Sequence, residues 1–128
     1  MLIEKYREGL VADKNYNCAE KVLNLGNQVL DYELPLSATK AAAGFGFGMG
    51  RKHICGALIG AVMILSIENV ETIARESKIY GIAADLLQRV EDRLGSIMCF
   101  ELREKYYNNE NQCEFIIETV LECLDEKL

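Results

Sequence analysis

The chain has 128 residues, half of them apolar and 27% charged, with 20 acidic against 14 basic side chains and a net charge of −6. That length suits one domain, residues 1–128, with a real core, and the acidic balance speaks against nucleic acid or an anionic membrane as partner. One proline points to an all-α chain, and five cysteines in a reducing compartment read as metal ligands or redox thiols sooner than as structural disulfides.

The first helix is predicted over about Leu2 to Ala12, with Ile3, Tyr6 and Leu10 on one face. Its charged residues make it an amphipathic helix, not a secretion signal with a continuous apolar core. Asp13 to Asn17 is a polar break in which Asn15 or Asn17 can cap the next helix. That second helix carries Cys18, Val22, Leu25 and Val29 at spacings of four, three and four, so Cys18 sits in its first turn and points inward. Asp31 to Leu36, holding Pro35, ends it, and Ser37 is the expected cap of a short alanine-rich helix through Ala43.

A glycine-alternating loop follows, running from Gly44 through Gly46, Gly48 and Gly50 into Arg51, Lys52 and His53. A helix is then predicted from about Ile54 to Ile67. Gly56 and Gly60 lie four apart there, on one face where a neighbouring backbone can come close. The uncharged run between Lys52 and Glu68 is too short to span a bilayer comfortably and fits a buried core helix. A soluble cytoplasmic protein is the expectation. The heptad Ile73, Tyr80, Leu87, Leu94, with Ala83 and Val90 beside it, predicts a long helix from about Val70 to Leu94, ended by Gly95. Cys99 opens a short helix through about Tyr106, with Ser96 as its cap, and Asn108 to Asn111 forms the last turn. Cys113 lies in the first turn of the final helix, whose inward stripe is Cys113, Ile117, Val120 and Leu124. Glu114, Glu118, Glu122, Asp125 and Glu126 read as its solvated face.

Cys18, Cys55, Cys99 and Cys113 thus each fall near a predicted helix N-terminus, where the partial positive charge favours a thiolate. That is the form that attacks disulfides and binds metals. In an up-and-down bundle the helices starting near Cys18, Cys55 and Cys99 begin at the same end. Cys113 joins them if the short Cys99 helix turns across that end. Cys123 lies ten residues after Cys113 on one helix, about 15 Å along the axis, so those two cannot be bridged. It reads as a core residue.

These residues resemble a family named for a cysteine, a Gly-Cys-Ala-x-x-Gly element and two further cysteines, the C_GCAxxG_C_C redox-active proteins. Asn17-Cys18-Ala19-Glu20 matches the first element and Cys55-Gly56-Ala57-Leu58-Ile59-Gly60 the central one. Cys99 and Cys113 match the third and fourth. Here Ile54 precedes the central cysteine and glycine follows it, so Cys-Gly-Ala-x-x-Gly is the equivalent element. The resemblance covers nearly the whole chain. It implies a small bacterial or archaeal protein with a redox role.

Around Cys55, Gly48 and Gly50 with Arg51 and His53 are the candidate cofactor-binding residues. Successive loop N–H groups can form an anion nest, Arg51 and Lys52 can lower the Cys55 pKa, and His53 can act as base or ligand. The bland alternatives are a flexible connector and solvated charges. Phe45, Phe47 and Met49 either line a pocket or pack in the core. The glycine spacing is not that of a dinucleotide-binding loop, and no strand precedes it.

The expected architecture is a single all-α bundle of six to seven helices with a glycine-rich loop before the central helix. The expected function is redox work by Cys18, Cys55, Cys99 and Cys113, with Cys55 the most reactive thiol. Two mechanisms serve it. One is dithiol/disulfide exchange with an unidentified redox partner; the other is electron transfer through an iron–sulfur centre that the four cysteines ligate. The alternatives are a four-cysteine zinc domain without catalysis and a helical interaction module with core cysteines. Small bundles often pair, so a homodimer stays open, with no exposed apolar seam to specify it.

Overall fold

The computed structural model describes residues 1–128. The chain is all-α, with seven α-helices: α1 (Leu2–Arg7), α2 (Cys18–Val29), α3 (Leu36–Thr39), α4 (Gly56–Asn69), α5 (Ile79–Leu94), α6 (Cys99–Tyr106) and α7 (Glu114–Asp125). No helix is long and apolar enough to cross a membrane.

The bundle is built around α4, whose residues Ala57, Leu58, Ala61, Ile64 and Leu65 are all fully buried. A helix that is apolar all round belongs in a core, and α4 packs against α2, α5 and α7. Gly56 and Gly60 share the face turned to α2, as their spacing predicts. A Cβ at Gly60 would lie 2.8 Å from the carbonyl oxygen of Ala19, so only glycine admits the α2 backbone this close. The outer layer completes the core with Leu23 and Leu25 of α2, Leu86 and Val90 of α5, and Ile117, Val120, Leu121 and Leu124 of α7.

Three expected elements differ. The first helix ends at Arg7, not Ala12: Gly9 turns left-handed at φ +87°, and a 3-10 turn, Ala12–Lys14, replaces the last residues. Leu10 is consequently exposed while Val11 is buried. The alanine-rich segment is one α-turn, α3, entered at Pro35 with no side-chain cap from Ser37, and then a 3-10 stretch over Lys40–Phe45. The long helix begins at Ile79 rather than Val70, after a 3-10 turn at Ala74–Glu76. Ile73 and Tyr80 of the supposed heptad are 55% and 67% exposed, and the buried stripe is Ile79, Leu86, Val90 and Leu94. Leu94 of the heptad and Val90 beside it are common to both stripes.

The acidic face of α7 needs one correction as well. Asp125 is buried, and its two carboxylate oxygens accept the backbone N–H groups of Leu2 (2.9 Å) and Ile3 (3.0 Å). It thereby caps α1 from the end of α7. Asp125→Ala leaves two N–H donors without a partner and is expected to cost about 1–3 kcal/mol in urea unfolding. Loss of α1 protection in hydrogen exchange should accompany it.

Candidate functional site

Four helix starts meet at one end of the bundle, and local chemistry puts each of them there. At α2, the Asn17 side chain accepts the Glu20 N–H (3.0 Å) while the Glu20 carboxylate accepts the Asn17 N–H (3.0 Å), a capping box that starts the helix at Cys18. The Asn17 amide also donates to the Ala43 carbonyl (2.9 Å), tying α2 to the segment before the glycine loop. At α4 and α6, Ile54 and Met98 form an antiparallel bridge. The Cys55 N–H donates to the Ile97 carbonyl (2.9 Å) and the Cys99 N–H to the His53 carbonyl (2.5 Å).

The glycine loop makes that bridge reachable. Residues Gly48–Lys52 form one wide π-type turn, closed by the His53 N–H on the Gly48 carbonyl (3.0 Å). Phe47, Met49 and Lys52 all take positive φ here, an unusual run for residues with side chains. Gly48 itself sits at φ +58°, and a Cβ there would lie 2.3 Å from the His53 nitrogen and 3.0 Å from the Cys99 Cβ. At α7, Asn108 accepts the N–H groups of Glu110 and Asn111, and the turn it orders delivers Cys113 as the residue before the helix.

All four cysteines line one cavity of about 250 Å³, together with Tyr16, Asn17, Lys21, Phe47, Leu102, Arg103, Tyr107 and Gln112 among others. All are free thiols. Their settings are unequal. Cys18 and Cys113 are half-buried and line the cavity together. The neighbouring Cys18 thiol holds Cys113 well below the usual thiol range, helped by the Arg103 guanidinium, whose Nη1–H donates to its sulfur at 3.7 Å, and by Lys21. The neighbouring Cys113, with burial, pushes Cys18 up. Cys55 and Cys99 are buried, at 6% and 8% exposure. Burial raises both, Cys55 to about 11 even though the N–H groups of Leu58 and Ala57 pull it down. Cys113 is thus the one of the four whose pKa is shifted down, whereas at Cys55, expected from its helix N-terminus to be the most reactive thiol, desolvation acts in the opposite direction.

Of the cations near Cys55 in sequence, Lys52 reaches the site edge: its ammonium lies 5.4 Å from the Phe47 ring and pulls the Cys99 pKa down against burial. Arg51 and His53 are exposed and do not line the cavity, nor do Gly48 and Gly50. The Gly48 and His53 backbones position Cys55 and Cys99 instead. Phe47 is at the cavity, 44% exposed, whereas Phe45 packs against the core and Met49 faces outward. Cys123 is a core residue away from the cavity, as its spacing suggests. The sequence reading missed Arg103, which the rings of Phe47 and Tyr107 flank at 5.0 and 4.1 Å. Its position four residues after Cys99, and four before Tyr107, was the available signal, since residues so spaced share a helix face.

No three histidine, cysteine, aspartate or glutamate side chains come together in a group that could hold a metal ion. As arranged, the four thiols do not fit a zinc or iron–sulfur site, although they surround a single space.

No curated protein and no solved structure matches the chain. The family model described as "Putative redox-active protein (C_GCAxxG_C_C)" matches residues 16–127, a span that contains all four cavity cysteines. The chain belongs to the C_GCAxxG_C_C family.

Proposed function

We propose that the protein performs dithiol/disulfide exchange, with Cys113 as the attacking thiol and Cys18 as the resolving one. The observation that carries this reading is that the two half-buried thiols line one cavity, with the Arg103 guanidinium donating to the Cys113 sulfur. The Cys113 thiolate attacks one sulfur of a substrate disulfide, forming a mixed disulfide and expelling one thiolate. The Cys18 sulfur then attacks Cys113, and its proton goes to the second departing thiolate. The protein dithiol loses two electrons and the substrate disulfide gains them. Five free thiols suit a reducing compartment such as the cytoplasm. Cys55 and Cys99, buried and held as neutral thiols, are kept out of the first attack.

The test is to mix reduced protein with a small disulfide, count the thiolates released and map the new bond by peptide mass analysis. Two thiolates per chain and a Cys18–Cys113 disulfide are expected. No release, or stoichiometric iron with sulfide, or zinc, in protein purified without oxygen would overturn the reading.

Arg103 is a positioning residue in this scheme, and pH separates that role from a structural one. A group with a lowered pKa keeps its thiolate down to lower pH. Alkylation of Cys113 by iodoacetamide should therefore reach its plateau below the pH at which an ordinary thiol does. Arg103→Met is expected to move that midpoint upward by about one unit, with Arg103→Lys in between. An unmoved midpoint would show that Arg103 only packs.

A further inference from the structure

The same cavity carries information about which disulfides it takes, an inference that rests on the exchange reading above. Its volume of about 250 Å³ equals that of roughly eight waters at about 30 Å³ each. That admits one half of a small disulfide. Its floor is apolar, with Leu102, Ile116 and Ile117. Two cations line it. Lys21 is already matched, because Glu114 lies 3.4 Å from its ammonium and takes the Tyr6 hydroxyl as well. Arg103 pairs with no carboxylate.

A guanidinium presents five N–H donors in a planar fork, and the one side-chain bond of Arg103 goes to Cys113. The flanking rings of Phe47 and Tyr107 fix the plane of the fork, so its remaining donors are ordered before anything binds. An ordered, unmatched fork beside the attacking sulfur is what an acid group on the substrate would meet.

We propose that the cavity selects low-molecular-weight disulfides that carry a carboxylate or sulfonate near the sulfur, with Arg103 gripping the acid group. The bond changes are those of the exchange: Cys113 forms a bond to the near sulfur, the substrate S–S bond breaks, and the far half leaves as a thiolate.

The experiment uses three disulfides of matched size: 3,3′-dithiodipropionate, a dianion; its diamide, neutral; and cystamine, a dication. Rates of mixed-disulfide formation at Cys113 are measured on the Cys18→Ser protein, which cannot resolve the adduct, and on wild type. Each is divided by the rate with a free small-molecule thiol, which removes the intrinsic reactivity of the probe. The dianion should exceed the neutral probe by about tenfold, with the dication slowest. The preference should shrink with salt and collapse in Arg103→Met. Ratios between probes do not depend on how much Cys113 is ionised, so the variant's altered thiol pKa does not confound them. Equal normalised rates in wild type, or a preference that survives Arg103→Met, would overturn the selection while leaving exchange intact. A cysteine-containing peptide disulfide without acid groups that outpaces the dianion would overturn it too. Failure of every probe to react at Cys113 would sink both proposals.

Discussion

Cys113→Ser is expected to bring disulfide reduction down to background, a loss of at least about a hundredfold, because it removes the thiol that ionises first. Cys18→Ser should behave differently. The first attack persists, the reaction stops at the mixed disulfide, and one thiolate is released per chain instead of two. Cys55→Ala should leave the first attack within about threefold of wild type, since its thiol is buried and pushed up to about 11. The comparison is sharp because all three side chains line the same cavity. If Cys55→Ala were the silent variant and Cys113→Ser remained active, the nucleophile would be misassigned and burial would not be the deciding effect.

The second large effect lies in the glycine loop. Gly48→Ala puts a Cβ 2.3 Å from the His53 nitrogen and 2.8 Å from its carbonyl oxygen, at φ +58°. Neither backbone atom can step aside without breaking the link to Cys99, whose N–H that carbonyl accepts. Left-handed strain and overpacking together predict a loss of about 2–5 kcal/mol in urea unfolding. Faster labelling of Cys55 and Cys99 should come with it. Gly50→Ala is the control, because Gly50 also has positive φ, +75°, but open space where a Cβ would go. It should pay the strain alone, about 1–2 kcal/mol, with both thiols still protected.

The contrast between these glycines shows what a sequence does and does not disclose. Helix starts were readable where the signal is local: the Asn17–Glu20 capping box fixes Cys18, and the Gly95 stop frees Cys99 to open α6. The small-residue pair Gly56 and Gly60 announced the α2–α4 crossing. The start of α5 was not readable, because a heptad records apolar spacing without recording what covers it, and no helix covers Ile73 or Tyr80. The site divided the same way. Which cysteines gather followed from their shared place at helix starts. Which one ionises depended on desolvation and on a cation 48 residues from Cys55, neither of which sequence neighbourhood reports. Arg51 and His53 are near Cys55 along the chain and exposed. Arg103 is distant along the chain and ten residues from its own partner, Cys113.

The Cys18–Cys113 contact also ties the redox state to the stability of the whole bundle. It joins the start of α2 to the start of α7, roughly 95 residues apart, so a disulfide there would close most of the chain into a ring. In the chain-entropy account, closing a loop of about 100 residues removes enough freedom from the unfolded chain to stabilise the fold by about 4–5 kcal/mol. Linkage makes that reciprocal. Whatever stability oxidation adds, the fold returns as resistance to reduction, about 30 mV for each 1.4 kcal/mol. A substitution far from any thiol that loosens the oxidised and reduced forms unequally, Asp125→Ala for instance, would then be measurable on an electrode.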